Sequence, residues 1–370
     1  MGSITRGIAN NVLGNGAVDG TDALSGTIPA NNIANATLDN LTAFPPSVSA
    51  GIPQVASDPP APSEGDVWYN TTTYKLKVRG LGAGTWATGG NLGTARYILA
   101  GAGTQTAALG FGGYTFPPAT SRSETEEYNG SAWTAGGSLN TARWGLGGAG
   151  TQTAGLAFGG FSTAYTGATE EYDGSTWTTS PGTMNTLSRA LAGAGIQTAA
   201  LAFGGQTTPP GVTAATEEYN GTSWTAGGSL GTARRTLAGC GTQTTGLAFG
   251  GKTPASTGAT EEYDGSTWTA GGSLNIARDQ LAGAGIQTAA LAFGGGSSTL
   301  PSGTGSTEEY NGSTWTTSPS SLATVRYNLA GAGTQTAGLA FGGNGALVPG
   351  IANATEEWIK AEGNLEVTLT

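Results

Sequence analysis

The chain has 370 residues, room for one or two domains, with 66 glycines, one cysteine, no histidine and only 10% charged residues. Its formal net charge of −10 and its lack of any run of Lys and Arg argue against nucleic acid as a partner, because binding a phosphate backbone takes concentrated positive charge. Charge too sparse for a disordered polyelectrolyte, and apolar residues too evenly spread for membrane insertion, leave an all-β protein with many glycine turns.

The first segment, residues 1–57, opens with MGSITRGIANNVLG, which lacks the apolar core of roughly seven or more residues that a secretory signal peptide needs. Its apolar positions stand singly among Gly, Asn, Thr and Pro. A lone core below roughly 40 residues is marginal, so this segment is expected to wind with other copies of itself or to dock on a partner. Asp58-Pro59-Pro60 and Pro62 then make a stiff linker. Within residues 58–85, the stretch GDVWYNTTTYKLKVRG at 65–80 reads as a hairpin packed through Trp68, Tyr74, Leu76 and Val78.

Residues 86–370 carry a repeat. The string Phe-Gly-Gly ends at Gly113, Gly160, Gly205, Gly251, Gly295 and Gly343, at spacings of 47, 45, 46, 44 and 48 residues, which suits one four-stranded unit per repeat. Around it the order is constant: a small-residue stretch such as LAGAG, then TQTAALAFGG, a variable stretch, TEEYNG and STWTAGGSL. Asn129-Gly130, Asp173-Gly174, Asn220-Gly221, Asp264-Gly265 and Asn311-Gly312 each lie between a Tyr strand and a Trp strand, where both residues are expected to take the positive φ of a tight hairpin. Each Trp follows its Tyr by five residues, from Tyr128 and Trp133 to Tyr310 and Trp315, and these rings are placed to fill gaps between neighbouring sheets. The first strand of this region is the one around Trp86, and the last landmark is Glu356-Glu357-Trp358. The Trp86 strand therefore completes the sixth sheet, or else NLEVTLT at 364–370, with alternating Leu365, Val367 and Leu369, does so.

The paired carboxylates, Glu126-Glu127 through Glu356-Glu357, invite a catalytic reading. Adjacent residues on a strand face opposite ways, so they do not form an acid/base dyad across one substrate. Recurring in every repeat, they read as architecture, with Arg96, Arg143, Arg234, Arg278 and Arg326 as partners for one Glu of each pair. In the third repeat the register slips, Ser188 takes the arginine position and Arg189 aligns with Tyr97. The recurring glutamines, Gln105 to Gln335, read as amides bonded to neighbouring backbone, and Cys240, where sister repeats have Ala, as a small buried substitute. The stretches LAGAG, LGGAG and LAGCG predict a channel of small apolar groups with no general base. Without histidine, neither a zinc site nor a Ser-His-Asp triad can be written, and no metal, cofactor or catalytic residue is expected. The glycine doublets lack the Lys-Ser/Thr and helix of a phosphate loop. Asp173 and Asp264 read as turn residues.

The repeats diverge chiefly between Gly-Gly and Glu-Glu, in stretches of 12, 9, 11, 9, 12 and 12 residues with contents as unlike as YTFPPATSRSET and KTPASTGAT. These connect the same two strands each time and so emerge on one face, the usual place for a binding surface on a repeat scaffold. Tyr114, Phe116, Phe161, Tyr165, Lys252 and Leu300 are the candidate ligand-binding residues there.

The Gly-Gly doublet, Tyr and Trp of each repeat resemble the kelch repeat family over residues 86 to 358. That resemblance implies a six-bladed β-propeller. Kelch-like copper oxidases need histidines, so that enzyme class is excluded. VDGTDALSGTIPANNIANATLDNLTAF and GDVWYNTTTYKLKV resemble the N-terminal modules of bacteriophage tail fibres and related virion appendages, particularly those of marine phages with kelch-like propellers. The two resemblances together imply a non-enzymatic virion protein, a homotrimer held to other virion proteins through its N-terminal attachment segment. Its propeller would contact a host-surface glycan or outer-membrane protein, or else serve only as a decoration or adaptor.

Overall fold

A computed structural model describes residues 52–367 apart from 64, 209–210, 298, 300–302, 346–349 and 351. All regular structure among them is β, and the chain forms two compact units. The segment expected to anchor and oligomerise the protein lies, up to residue 51, outside the described residues, as does Leu300.

The smaller unit holds the described residues up to Ala83 together with those from Lys360. The expected hairpin forms from Val67–Asn70 and Lys75–Leu81, with Trp68, Leu76 and Val78 buried. Tyr74 is a correction: it sits in the turn at φ 56 and is 78% exposed, not part of the buried face formed by Trp68, Leu76 and Val78. The strand Glu362–Val367, which the sequence reading kept with the repeats, pairs here against Lys75–Leu81, setting Leu365 opposite Val78 and Glu366 opposite Lys77. Salt bridges from Lys75 to Glu366 at 2.8 Å and from Arg79 to Glu362 at 3.2 Å accompany that pairing. Asp58 ties the preceding segment to this sheet by accepting bonds from Lys77, Asn70, Trp68 and Asn364, which together hold its carboxyl well below the usual range.

The larger unit, Gly84–Ile359, is propeller-like, with six four-stranded antiparallel sheets among its described residues. In the first sheet the strands are Ala100–Gly103, Ala108–Phe111, Thr125–Tyr128 and Trp133–Ala135. The next four sheets repeat this order. In the sixth, Ala330–Gly333, Ala337–Phe341 and Thr355–Ile359 are completed by Thr85–Thr88, with Trp86 opposite Trp358. The Trp86 alternative is the one adopted.

First strands of successive sheets lie side by side, and that of the sixth lies beside that of the first. Their alternating Ala-Gly pattern is what allows this approach: a Cβ on Gly101 would come within 2.7 Å of the Gly331 carbonyl oxygen and of the Phe341 ring. Six buried clusters follow, each drawn from two successive sheets. In each, the Trp of one sheet meets the Phe of the sheet before it, from Phe111 and Trp177 at 4.9 Å round to Phe341 and Trp133 at 4.8 Å. The indole N–H donates to that sheet's Thr hydroxyl, as Trp177 does to Thr125 and Trp86 to Thr307, both at 2.8 Å. Glutamine amides bridge the same interfaces by donating to two backbone carbonyls, as Gln152 does to Ala108 and Tyr128.

The carboxylate pairs divide their work. The first Glu is buried against the expected arginine, at 2.8 to 3.0 Å in five sheets. In five sheets the second accepts from the Tyr hydroxyl of the following sheet, as Glu127 does from Tyr172 at 2.5 Å and Glu357 from Tyr128 at 2.6 Å, whereas Glu309 precedes the sheet that has Trp358 in place of Tyr. In the third sheet Glu217 has no arginine, and the Asn185 and Thr186 amides and the Asn185 side chain serve instead. The Asn-Gly and Asp-Gly turns differ from expectation. Tyr128 pairs directly with Trp133, leaving a four-residue loop in which only Gly130 has positive φ, while the Asn129 side chain caps the Ser131 and Ala132 amides. The same capping by backbone N–H groups holds Asp173 and Asp264 down to about 2. Cys240 is buried, and desolvation pushes its thiol up to about 12, in keeping with a packing role.

The Tyr–Glu bonds carry a pH signature. Desolvation, aided by the neighbouring carboxylate, raises Tyr128, Tyr172, Tyr219 and Tyr263 from 10.0 to about 12. These phenols stay neutral in the folded chain where the unfolded chain ionises from about pH 10. Their contribution is therefore complete below about pH 10 and disappears as pH rises through about 12. Urea unfolding midpoints across that window are expected to fall steeply, in step with phenolate absorbance at 295 nm measured on the unfolded limb. A flat profile would remove these bonds from the account of stability.

Candidate functional site

In each repeat the residue after the scaffold arginine position pairs with the residue after the Gly-Gly doublet. These short ribbons join Tyr97 to Tyr114, Trp144 to Phe161, Arg189 to Gln206, Arg235 to Lys252, Asp279 to Gly296 and Tyr327 to Asn344. The doublet makes them possible: both of its glycines have positive φ, as at Gly112 (64) and Gly113 (105), and turn the chain out of the second strand. The ribbons stand at the end of the sheets where the variable stretches open, opposite the Asn-Gly and Asp-Gly turns.

The next residue of each repeat, at 98, 145, 190, 236, 280 and 328, closes a ring. The Ile98 amide donates to the Asn328 carbonyl at 2.9 Å, Gly145 to Ile98 at 3.0 Å, Ala190 to Gly145 at 2.6 Å, and Thr236, Gln280 and Asn328 each to the one before at 2.8 Å. All six residues have φ between 52 and 63. Glycine takes that conformation freely, yet only the second repeat uses it. Ile98 and Thr236 are β-branched, for which left-handed backbone is a strained outlier of the kind that clusters at functional sites. Side chains are thus kept at this rim despite a conformational cost.

The rim is not uniform around the ring. On the first two repeats it is aromatic: Tyr97 meets Tyr114 at 5.7 Å, Tyr114 meets Trp144 at 5.6 Å, Trp144 meets Phe161 at 5.4 Å and Phe161 meets Tyr165 at 5.4 Å. On the third and fourth it is cationic. The Arg189 guanidinium lies 4.3 Å from the centre of the Trp144 ring and donates to Gln206 at 3.3 Å. Beside it the Arg235–Lys252 ribbon sets two cations opposite each other. On the fifth repeat Asp279, 5% exposed, accepts from Ser256 at 2.5 Å. Between these sectors lies a cavity of about 220 Å³, lined by Trp144, Arg189, Gln206, Arg235, Lys252 and Asp279 together with rim residues from Ile98 to Asn328.

Of the residues named from sequence, Tyr114, Phe161, Tyr165 and Lys252 all come to this rim. Phe116 stands apart, 64% exposed at the tip of the first variable stretch and outside the aromatic run. Trp144, Arg189, Arg235 and Asp279 are not singled out by the sequence pattern, and no basic cluster is apparent there, because Arg189 comes from one repeat and Arg235 and Lys252 stand at the two ends of the first two strands of the next. A signal was present: the position after the scaffold arginine reads Tyr, Trp, Arg, Arg, Asp, Tyr within an otherwise repeated frame. The carboxylate pairs and glutamines are taken up in inter-sheet bonds. Among the described residues no group of three or more Cys, Asp or Glu is placed to hold a metal ion. No protein-family model matches the chain, and no curated protein matches it.

Proposed function

We propose that the chain is a six-bladed, kelch-like β-propeller that serves as the adhesive head of a bacteriophage fibre or similar virion appendage, without enzymatic activity. Residues 1–57 anchor it as a homotrimer to other virion proteins, and the rim face meets a glycan or outer-membrane protein of the host surface. The observation that carries this reading is the contrast between frame and rim. The same Glu, Arg, Tyr, Trp and Gln recur and are consumed in holding sheets together, whereas the residues that change from repeat to repeat converge on one face around one cavity. Aromatic side chains there suit the apolar faces of sugar rings.

Purified full-length protein labelled with a fluorophore should decorate host cells and be displaced by unlabelled protein. Phe116→Ala is expected to weaken that attachment several-fold while changing stability by less than about 0.5 kcal/mol, because the side chain is exposed. Ile196→Ser with Ile286→Ser, exposed on the first hairpins at the opposite end, is the control. Attachment lost with the isoleucines and kept without Phe116 would move the contact to the other face. No attachment by the parent protein would favour the decoration role.

A further inference from the structure

We infer that the rim cavity is a selective site for a carboxylated sugar residue, such as a hexuronate, and this rests on the reading of the rim as the adhesive face. The chain is acidic, with 24 acidic and 14 basic residues, and five of its arginines are buried in the scaffold ion pairs. Three of the remaining cations, Arg189, Arg235 and Lys252, nevertheless meet at one cavity. Arg235 and Lys252 are directly cross-strand, bonded backbone to backbone at 2.9 and 3.2 Å. Like charges in that position destabilise a ribbon, and among the described residues neither side chain has a hydrogen bond or ion pair to offset the repulsion.

The one anion lining the cavity, Asp279, is already engaged by Ser256. A carboxylate from outside would satisfy both free cations, Arg235 through paired N–H donors and Lys252 as a point charge. The rest of the wall fits a sugar: Trp144 offers an aromatic edge, and Gln206, Thr236, Gln280 and Asn328 offer amide and hydroxyl groups to ring hydroxyls. About 220 Å³ lies below the roughly 300–1,000 Å³ of pockets for drug-sized ligands, so the site takes one sugar residue of a longer chain.

The test titrates the full-length protein by calorimetry with oligosaccharides matched in pairs, hexuronate against hexose, and repeats the titration with the Arg235→Gln/Lys252→Met double variant. The acidic member is expected to bind at least tenfold more tightly, with an affinity that falls as salt rises. The double variant should lose that preference while its melting temperature stays level or rises, since it removes a repulsive pair. Equal binding of both members overturns the inference and leaves adhesion standing. So does acidic preference that survives in the double variant, which would place the anion elsewhere. If host-cell attachment is intact and no saccharide of either kind binds, the sugar site is wrong and the adhesive reading holds with a protein partner; loss of attachment itself sinks both.

Discussion

Glu308→Leu is expected to lower the stability of the repeat unit by about 3–5 kcal/mol, the cost of stripping a buried charge of its partner. Glu308 and its partner Arg278 are fully buried, 3.0 Å apart. The guanidinium also donates to the carbonyls of Gly294 at 2.9 Å, Ser306 at 2.7 Å and Ala292 at 3.4 Å. Burial nonetheless pulls Arg278 down to about 10 against the opposing pull of Glu308, so desolvation outweighs the attraction even with the partner present. Without Glu308 nothing opposes it. Arg278→Met should cost less, about 1–3 kcal/mol for the orphaned carbonyls. The remaining carboxylate would keep the Asn275 amide at 2.6 Å, the Asn275 side chain at 2.9 Å and the Ile276 amide at 3.4 Å. That is the arrangement the protein already tolerates at Glu217, which has no arginine. Urea midpoints for the two variants decide the order. If the arginine variant loses more, carbonyl bonding by the guanidinium, and not charge compensation, is what the pair supplies.

The frame is legible in the sequence because its contacts recur in five or six of the repeats. One Glu–Arg partnership inferred from a repeat is checked by four others, and the register slip at Ser188 and Arg189 is visible for the same reason. The rim was half legible. Tyr114, Phe161, Tyr165 and Lys252 could be named from the variability of their stretches, but their neighbours Trp144, Arg189 and Arg235 lie before the first strand, and a ring brings them together where a linear reading does not. Turn chemistry misled in a different way. Asn-Gly is the usual signal of a two-residue loop, yet Tyr128 opposite Trp133 fixes four residues between the strands, and Asn129 then acts through its side-chain oxygen. The strand Glu362–Val367 was assigned by pattern alone, and alternation of Leu365 and Val367 fits any sheet edge equally. Its partner, Lys75–Leu81, lies over 280 residues away in sequence, and the six-residue ladder that joins them, with Leu365 opposite the buried Val78 and ion pairs from Lys75 and Arg79 alongside, is a long-range pairing that no local pattern encodes.

Closure of the ring by the strand Thr85–Thr88 predicts a sharp boundary for truncation. A chain of residues 84–359 is expected to unfold in one cooperative transition, whereas residues 92–359 should lose that transition or shift it by more than any single core substitution. The four residues Thr85 to Thr88 pair with Ile359 to Glu356 and are the sixth sheet's outer strand. Removing them strips Trp86 from Phe293 at 5.1 Å and from Trp358 at 5.4 Å, and leaves the Thr307 hydroxyl without its indole donor. The ladder groups of Thr355–Ile359 are then bare, a free edge open to pairing with other chains. Trp loss from a core alone costs about 3–5 kcal/mol, and the strand's ladder bonds go with it. Because each sheet is held only by its two neighbours, an open ring also loses the sixth-to-first interface as a constraint and unfolds from that end. Gly84 marks the limit on the other side: a Cβ there would lie 1.9 Å from the Trp358 ring, so the chain must enter the sheet through glycine at this point. Calorimetry of the two truncated chains distinguishes the outcomes. A cooperative, soluble 92–359 chain would mean that three strands suffice in the sixth sheet and that the Trp86 strand is an accessory to the ring.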